Sequence, residues 1–83
     1  MSIDTPARTI DVRWLEPPEP MERIVAALGE LRAGEMLRVM IHREPMPLYR
    51  MLDNNGLRHR TRFDDHGYFE IEIELPPAPS AGA

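Results

Sequence analysis

The sequence predicts an α+β fold, a two-layer α/β sandwich in which two helices cover one face of a four-stranded mixed sheet. The predicted element order is β-α-β-α-β-β. One stretch, residues 21–31, carries apolar residues at helical spacing. Two others, residues 35–41 and 57–75, contain apolar residues at every second position, which is the period of a strand.

The chain begins its predicted structure with a short strand over residues 9–13, in which Ile10 and Val12 lie on one side. Three prolines in residues 17–20 then fix φ and remove three backbone donors, so this stretch suits neither a strand nor a helix interior. We call residues 15–21 the proline turn. Pro20 fits the first helical position, and Trp14 is expected to pack on the turn as a lid, with a ligand-stacking surface as the alternative.

The first helix is expected over residues 20–33. Gly34 follows the last periodic residue, where glycine often ends a helix because it takes positive φ without strain. Leu28 lies within the apolar stripe, so we expect Leu28→Ala to cost about 2–5 kcal/mol. The predicted core stripe consists of Met21, Ile24, Val25, Leu28 and Leu31.

The second strand is expected over residues 35–41 and in the middle of the sheet, because apolar residues occur on both of its faces. A second helix begins at Pro47 and carries the apolar residues Leu48, Met51 and Leu52. It should stop at residues 54–56, where Asn55 or Gly56 can take the left-handed conformation.

The last two strands specify their own register. Their apolar residues must share one face, which a three-residue loop over residues 65–67 achieves, with Gly67 at positive φ. The sequence therefore predicts an arginine–glutamate ladder on the open face. Its pairs are Arg62 with Glu70, Arg60 with Glu72, and Arg58 with Glu74.

The length of 83 residues is that of one small domain. We expect residues 1–8 to be a flexible leader, residues 9–75 to be the domain, and residues 76–83 to be a disordered tail rich in proline and alanine. The first residues have neither a basic segment nor an apolar run, so no signal peptide is predicted. The longest uninterrupted apolar run, residues 24–28, is far too short to span a membrane.

Cysteine is absent, which excludes disulfides, thiolate metal sites and thiol nucleophiles and suits a cytoplasmic location. The formal net charge is -4, which argues against binding to nucleic acid or to anionic membranes.

The candidate site lies where the first two strands end. These strands should be parallel, so their carboxyl ends share one edge of the sheet, and the first helix points its N-terminus at the same place. An alternative is that Glu19 or Glu22 merely caps the helix. Tyr49 should pack with its hydroxyl at the surface or contact whatever binds this edge. The candidate binding residues are Glu16, Pro17, Pro18, Glu19, His42, Arg43, Glu44 and Tyr49.

The proline turn and the segment from Arg43 to Tyr49 together resemble the TusA/SirA-like family of small sulfur-carrier proteins. The resemblance is closest to a cysteine-lacking bacterial branch with a Leu-Glu-Pro-Pro-x-Pro-Met motif. In the family a Cys-Pro-x-Pro motif carries the sulfur, and here Pro17 holds the cysteine position. The branch usually has glycine where this chain has Trp14.

The resemblance implies a non-enzymatic accessory module that binds a protein partner in a respiratory, redox or nitrogen-oxide context. Persulfide transfer by the chain's own thiol is excluded, because such transfer needs a cysteine. We expect no cofactor and a monomer or weak dimer.

Three alternatives to partner binding involve the same edge. A small ligand could bind there, and a metal or haem iron could be ligated by His42 and Met46, although no metal-type spacing of histidines occurs. Acid–base chemistry by the carboxylates near His42 would need an enclosed cavity, for which a domain of this size has little room.

Overall fold

The computed structural model describes residues 6–77. Its elements are β1 (Arg8–Asp11), α1 (Glu19–Leu28), β2 (Met36–Ile41), α2 (Met46–Asn54), β3 (Arg58–Phe63) and β4 (Phe69–Glu74). The strands form a four-stranded sheet in the order β1-β2-β4-β3, in which β1 and β2 are parallel and the other neighbours antiparallel. The predicted fold class is confirmed. Most of the predicted leader and tail lies outside the described residues.

The core fills the space between the helices and one face of the sheet. Alternation along β2 and β4 sends every second side chain to this face, and the helices add the residues that meet them. β2 lies in the middle of the sheet, as predicted. The most deeply buried side chains are Val12, Ile24, Leu37, Val39, Leu48, Leu52, Ile71 and Ile73.

Helix α1 is shorter than predicted, because it ends at Leu28 with Gly29 as its C-cap. Beyond it, the amide of Leu31 bonds to the carbonyl of Leu28 at 3.2 Å, and the chain turns tightly. Gly34 has a φ of 85°, but its amide donates to the carbonyl of Leu75 at 2.8 Å. The prediction that Gly34 ends the helix is therefore wrong, because this long-range contact fixes Gly34 beside the end of β4.

The buried face of α1 also differs from the predicted stripe. Ile24 and Ala27 face the core, whereas Val25 is 49% exposed and Leu28 is only half-buried. Leu31 is buried although it lies outside the helix. A ten-residue helix on a single sheet covers only a narrow strip, so part of an apolar stripe stays in contact with solvent.

Helix α2 begins at Met46 and carries Pro47 in its first turn, where the missing N–H breaks no helical bond. Leu48 and Leu52 are fully buried. After the helix, Gly56 takes a φ of 70°, so of the two predicted residues it is the glycine that adopts the left-handed conformation. None of the helices in residues 6–77 is both long and apolar enough to cross a membrane.

The predicted hairpin register is confirmed. Arg62 pairs with Glu70, Arg60 with Glu72 and Arg58 with Glu74, and Gly67 has a φ of 93°. The guanidinium of Arg60 lies 2.6 Å from the Glu72 carboxylate, and that of Arg62 lies 2.5 Å from Glu70. Arg38 of β2 extends the ladder across a third strand by binding Glu72 at 3.1 Å.

Candidate functional site

The proline turn and the loop that follows β2 enclose a cleft at one edge of the sheet. It is about 510 Å³ in volume, and we call it the edge cleft. The parallel pairing of β1 and β2 places the two loops side by side, because both strands end at this edge. Five of the candidate residues line the cleft, namely Glu16, Pro17, Pro18, His42 and Arg43.

The rest of the cleft wall is apolar. Prolines on both loops form much of it, and two of them, Pro45 and Pro47, flank the start of α2. Proline rings hold φ nearly fixed, so this wall needs little ordering when a ligand or partner arrives. The additional lining residues are Leu15, Pro20, Met21, Ile24, Ile41, Pro45 and Pro47.

The start of α1 offers few hydrogen-bond donors to the cleft. Pro18 is the N-cap and Pro20 follows in the first turn, and neither has an N–H. The amide of Glu19 is already bonded to the carbonyl of Glu16 at 2.9 Å. No side-chain hydrogen bond caps this end of α1, so no such bond supports the alternative that Glu19 or Glu22 caps the helix. The cleft thus suits an apolar group better than an anion.

Three candidate residues do not line the cleft. Glu19 is exposed, and its carboxylate lies 3.8 Å from the guanidinium of Arg23, one turn further along α1. Glu44 and Tyr49 are joined to each other, because the Tyr49 hydroxyl donates to the Glu44 carboxylate at 3.2 Å. The structure therefore divides the candidate set among the cleft, the exposed surface of α1, where Glu19 lies, and the region where α2 meets the sheet.

Tyr49 belongs to a small polar cluster between α2 and β3. Its hydroxyl lies 2.6 Å from that of Thr61, and its ring stacks on His59 with centroids 5.0 Å apart. His59 in turn contacts the Asp53 carboxylate at 2.9 Å. Burial raises the pKa of Tyr49, with a further rise from the nearby Glu44 carboxylate. These contacts attach Tyr49 to β3 and make it part of the packing between α2 and the sheet.

The predicted metal ligands can be compared with the part of the chain that the structure describes. Within residues 6–77, no group of three or more histidine, aspartate or glutamate side chains is placed to hold an ion. His42 lines the edge cleft, whereas Met46 is 58% exposed and is absent from the cleft wall. The two residues predicted as metal ligands therefore do not both line the edge cleft.

One surface feature was missed by the sequence-based prediction. Trp14 does not pack as a lid, because it is 83% exposed. The guanidinium of Arg13 lies 4.5 Å from the Tyr68 ring centroid and 5.8 Å from that of Trp14. Asp11 accepts two hydrogen bonds from the Arg13 guanidinium, at 2.8 and 2.7 Å, and a third from the Arg13 backbone amide at 3.0 Å, and these bonds lower the pKa of its carboxyl group. The spacing of two residues between Asp11 and Arg13 is the feature of the sequence from which this ion pair could be predicted.

Comparison with known proteins adds two findings. The family model described as "Uncharacterized conserved protein (DUF2249)" matches residues 9–74. The crystal structure of a SirA-like protein from Desulfitobacterium hafniense is 28% identical, with a TM-score of 0.74, over 83% of this chain and 97% of that chain. A search of curated proteins gives no match. The SirA/TusA-like fold that the proline motif implied is confirmed.

Proposed function

Because the chain belongs to the DUF2249 family of uncharacterized conserved proteins and has a SirA-like fold, we propose that it is a non-enzymatic accessory module for a protein partner. The partner binds at the edge cleft, in a respiratory, redox or nitrogen-oxide context and in the cytoplasm. That context rests on the resemblance to TusA-like domains.

The observation that carries this proposal is the chemistry of the cleft wall. Its lining is mainly proline and aliphatic, and its polar groups, Glu16, His42 and Arg43, are few. Protein interfaces combine a buried apolar centre with a polar rim, and an anchoring side chain in a preformed pocket supplies much of the affinity. An apolar side chain of the partner would fill the cleft while Arg43 and Glu16 orient it.

Sulfur transfer by the chain's own thiol is excluded, because the sequence contains no cysteine. Pro17 occupies the position at which the TusA/SirA-like motif carries its cysteine, and it lines the cleft. The location of the TusA/SirA-like site is therefore retained, and the site serves recognition in place of persulfide chemistry.

The test is affinity capture from the native host with quantitative mass spectrometry. The variants Arg43→Glu, which reverses a charge of the cleft, and Met21→Trp, which fills it, should each lose the partner. The matched control Arg32→Glu makes the same charge change at an exposed residue in the turn that meets the end of β4. It should retain the partner.

Circular dichroism and thermal unfolding establish that each variant is folded before capture is compared. A protein that is retained by the original chain and by Arg32→Glu, but lost from both cleft variants, supports the proposal. Equal recovery of the same proteins by all four chains would place the binding surface elsewhere and contradict it.

A small apolar ligand is the second candidate for the same site. The cleft volume of about 510 Å³ lies within the range of small-molecule pockets and favours this alternative. Native mass spectrometry of protein purified from its host distinguishes the two. A retained small molecule that Met21→Trp expels would favour the ligand over the protein partner.

A further inference from the structure

The strand β3 is an edge strand with a regular and open outer side. It pairs with β4 over six consecutive residues, and no strand within residues 6–77 pairs with its other side. It contains neither a proline nor a bulge, two of the features by which proteins prevent another strand from adding to an edge. Its backbone therefore has the form of a template for a further strand.

The hydrogen-bond pattern identifies which backbone groups point outward. The amide of Asp64 donates to the carbonyl of Tyr68 at 2.7 Å, so this pair is hydrogen-bonded. In an antiparallel ladder such pairs recur at every second residue, so the three arginines of β3 direct their backbone groups towards β4. The amides and carbonyls of the alternate residues, His59, Thr61 and Phe63, point to the outer side.

The charges on the open face alternate in sign from strand to strand. In one row Arg38 of β2 contacts Glu72 of β4, and Glu72 contacts Arg60 of β3. The side chains that β3 places on this face are Arg58, Arg60 and Arg62, which are 68–78% exposed. A fifth strand would continue the alternation if it carried carboxylates opposite these arginines.

The other face of β3 favours an apolar residue at one end. Phe63 is 61% exposed and packs edge to face against Phe69 of β4, with centroids 5.0 Å apart. An added strand would place a side chain beside Phe63 in the same way that β4 does. The sequence of β4, with three glutamates and alternating apolar residues, thus indicates which side chains a strand that pairs with β3 should carry.

We propose that the outer edge of β3 binds an extended peptide segment that carries acidic side chains at alternate positions. This surface is separate from the edge cleft, because no residue of β3 lines that cleft. Arg60, Thr61 and Arg62 of β3 line a different cavity, which lies on the open face. A second copy of the chain is a poor occupant, because β3 against β3 brings arginine against arginine.

The test uses nuclear magnetic resonance of the isotope-labelled chain with a synthetic octapeptide that has the sequence of residues 68–75. Binding should slow amide exchange at His59, Thr61 and Phe63. A control peptide with lysine at the three glutamate positions should bind at least about tenfold more weakly, because each ion pair becomes a repulsion.

Two matched variants test the backbone contact. Phe63→Pro removes an outward amide and should abolish peptide binding, whereas Phe63→Ala removes the same ring and should retain it. If Phe63→Pro fails to fold, protection of the outward amides in the unmodified chain still decides the question.

Several results would overturn the proposal. Equal binding of the glutamate and lysine peptides would show that charge does not determine which peptide binds. Loss of protection at Ile71 and Ile73 would show that the peptide replaces β4. Protection at His59 that rises with protein concentration in the absence of peptide would indicate self-association of the chain.

Discussion

Ile24 and Leu28 lie one helical turn apart on α1, yet the structure gives them different environments. Ile24 is fully buried against the sheet and lines the inner part of the edge cleft, whereas Leu28 is half-buried near the end of the helix. Only a fully enclosed side chain leaves a cavity of its own size when it is truncated. The expected contribution of each residue to stability follows from this difference.

We expect Ile24→Ala to lower the free energy of unfolding by about 2–5 kcal/mol and Leu28→Ala to lower it by clearly less, because solvent already reaches Leu28. Urea unfolding of the two variants measures both values, with the same dependence of the free energy of unfolding on urea concentration used for each. An equal loss from the two substitutions would mean that α1 buries the wider stripe expected from the sequence.

At the scale of the elements, the β3–β4 hairpin joins its charged residues to β2. Glu72 receives hydrogen bonds from Arg60 at 2.6 Å and from Arg38 at 3.1 Å, and Glu70 is 7% exposed beneath Arg38 and Arg62. Hydrogen bonding from Arg60 is the largest effect and lowers the pKa of Glu72 below its usual 4.5. Burial opposes it as the second-largest effect, and hydrogen bonding from Arg38 adds to the lowering. The ladder therefore contributes to stability as well as to register.

This pairing should make stability depend on pH in the acidic range. The folded pKa of Glu72 lies below the unfolded value, so its contribution is present above about pH 4.5 and is lost as the pH falls through the folded pKa. Glu72→Gln should lower stability at neutral pH and lose less on acidification. Urea unfolding from about pH 7 to about pH 3 measures this, with the exposed Glu22→Gln as control. Parallel pH profiles for the two variants would contradict the assignment.

At the scale of the whole molecule, two strands are enclosed and two form edges. Within residues 6–77, β2 and β4 have a paired neighbour on both sides, whereas β1 and β3 each have one. The core residues of β2 and β4 are also among the most deeply buried. Opening the sheet from an edge leaves this centre intact, so local and global unfolding should have separate free energies.

We expect native-state hydrogen exchange to be slowest at amides of β2 and β4 and faster at the outward amides of β1 and β3, because the latter lack a strand partner. Exchange followed by nuclear magnetic resonance at a single pH tests this order. Outward amides of β3 that exchange as slowly as the amides of β4 in dilute protein would show that the edge is already covered.

Much of the fold could be predicted from local patterns. The alternation of residues 57–63 and 69–75 permits only one register that keeps the apolar side chains together, and the structure has that register. The meeting of the proline turn with the loop after β2 also follows from the sequence, since both come after parallel strands of a right-handed β-α-β unit, whereas the cleft between them is seen only in the structure. Both features depend on periodicity and chirality, which act over short stretches.

Only the tertiary structure decided where α1 ends, which of its faces is buried, and where Trp14 and Tyr49 lie. Gly34 is held by Leu75, and Tyr49 by Thr61, across 41 and 12 positions of the sequence. The sequence by itself determined the element order, the hairpin register and the meeting of the proline turn with the loop after β2. The local sequence pattern does not specify the end of α1, its buried face or the two aromatic positions. The area of the sheet determines how much of the helix surface is covered, and contacts between distant residues determine which side chains pack.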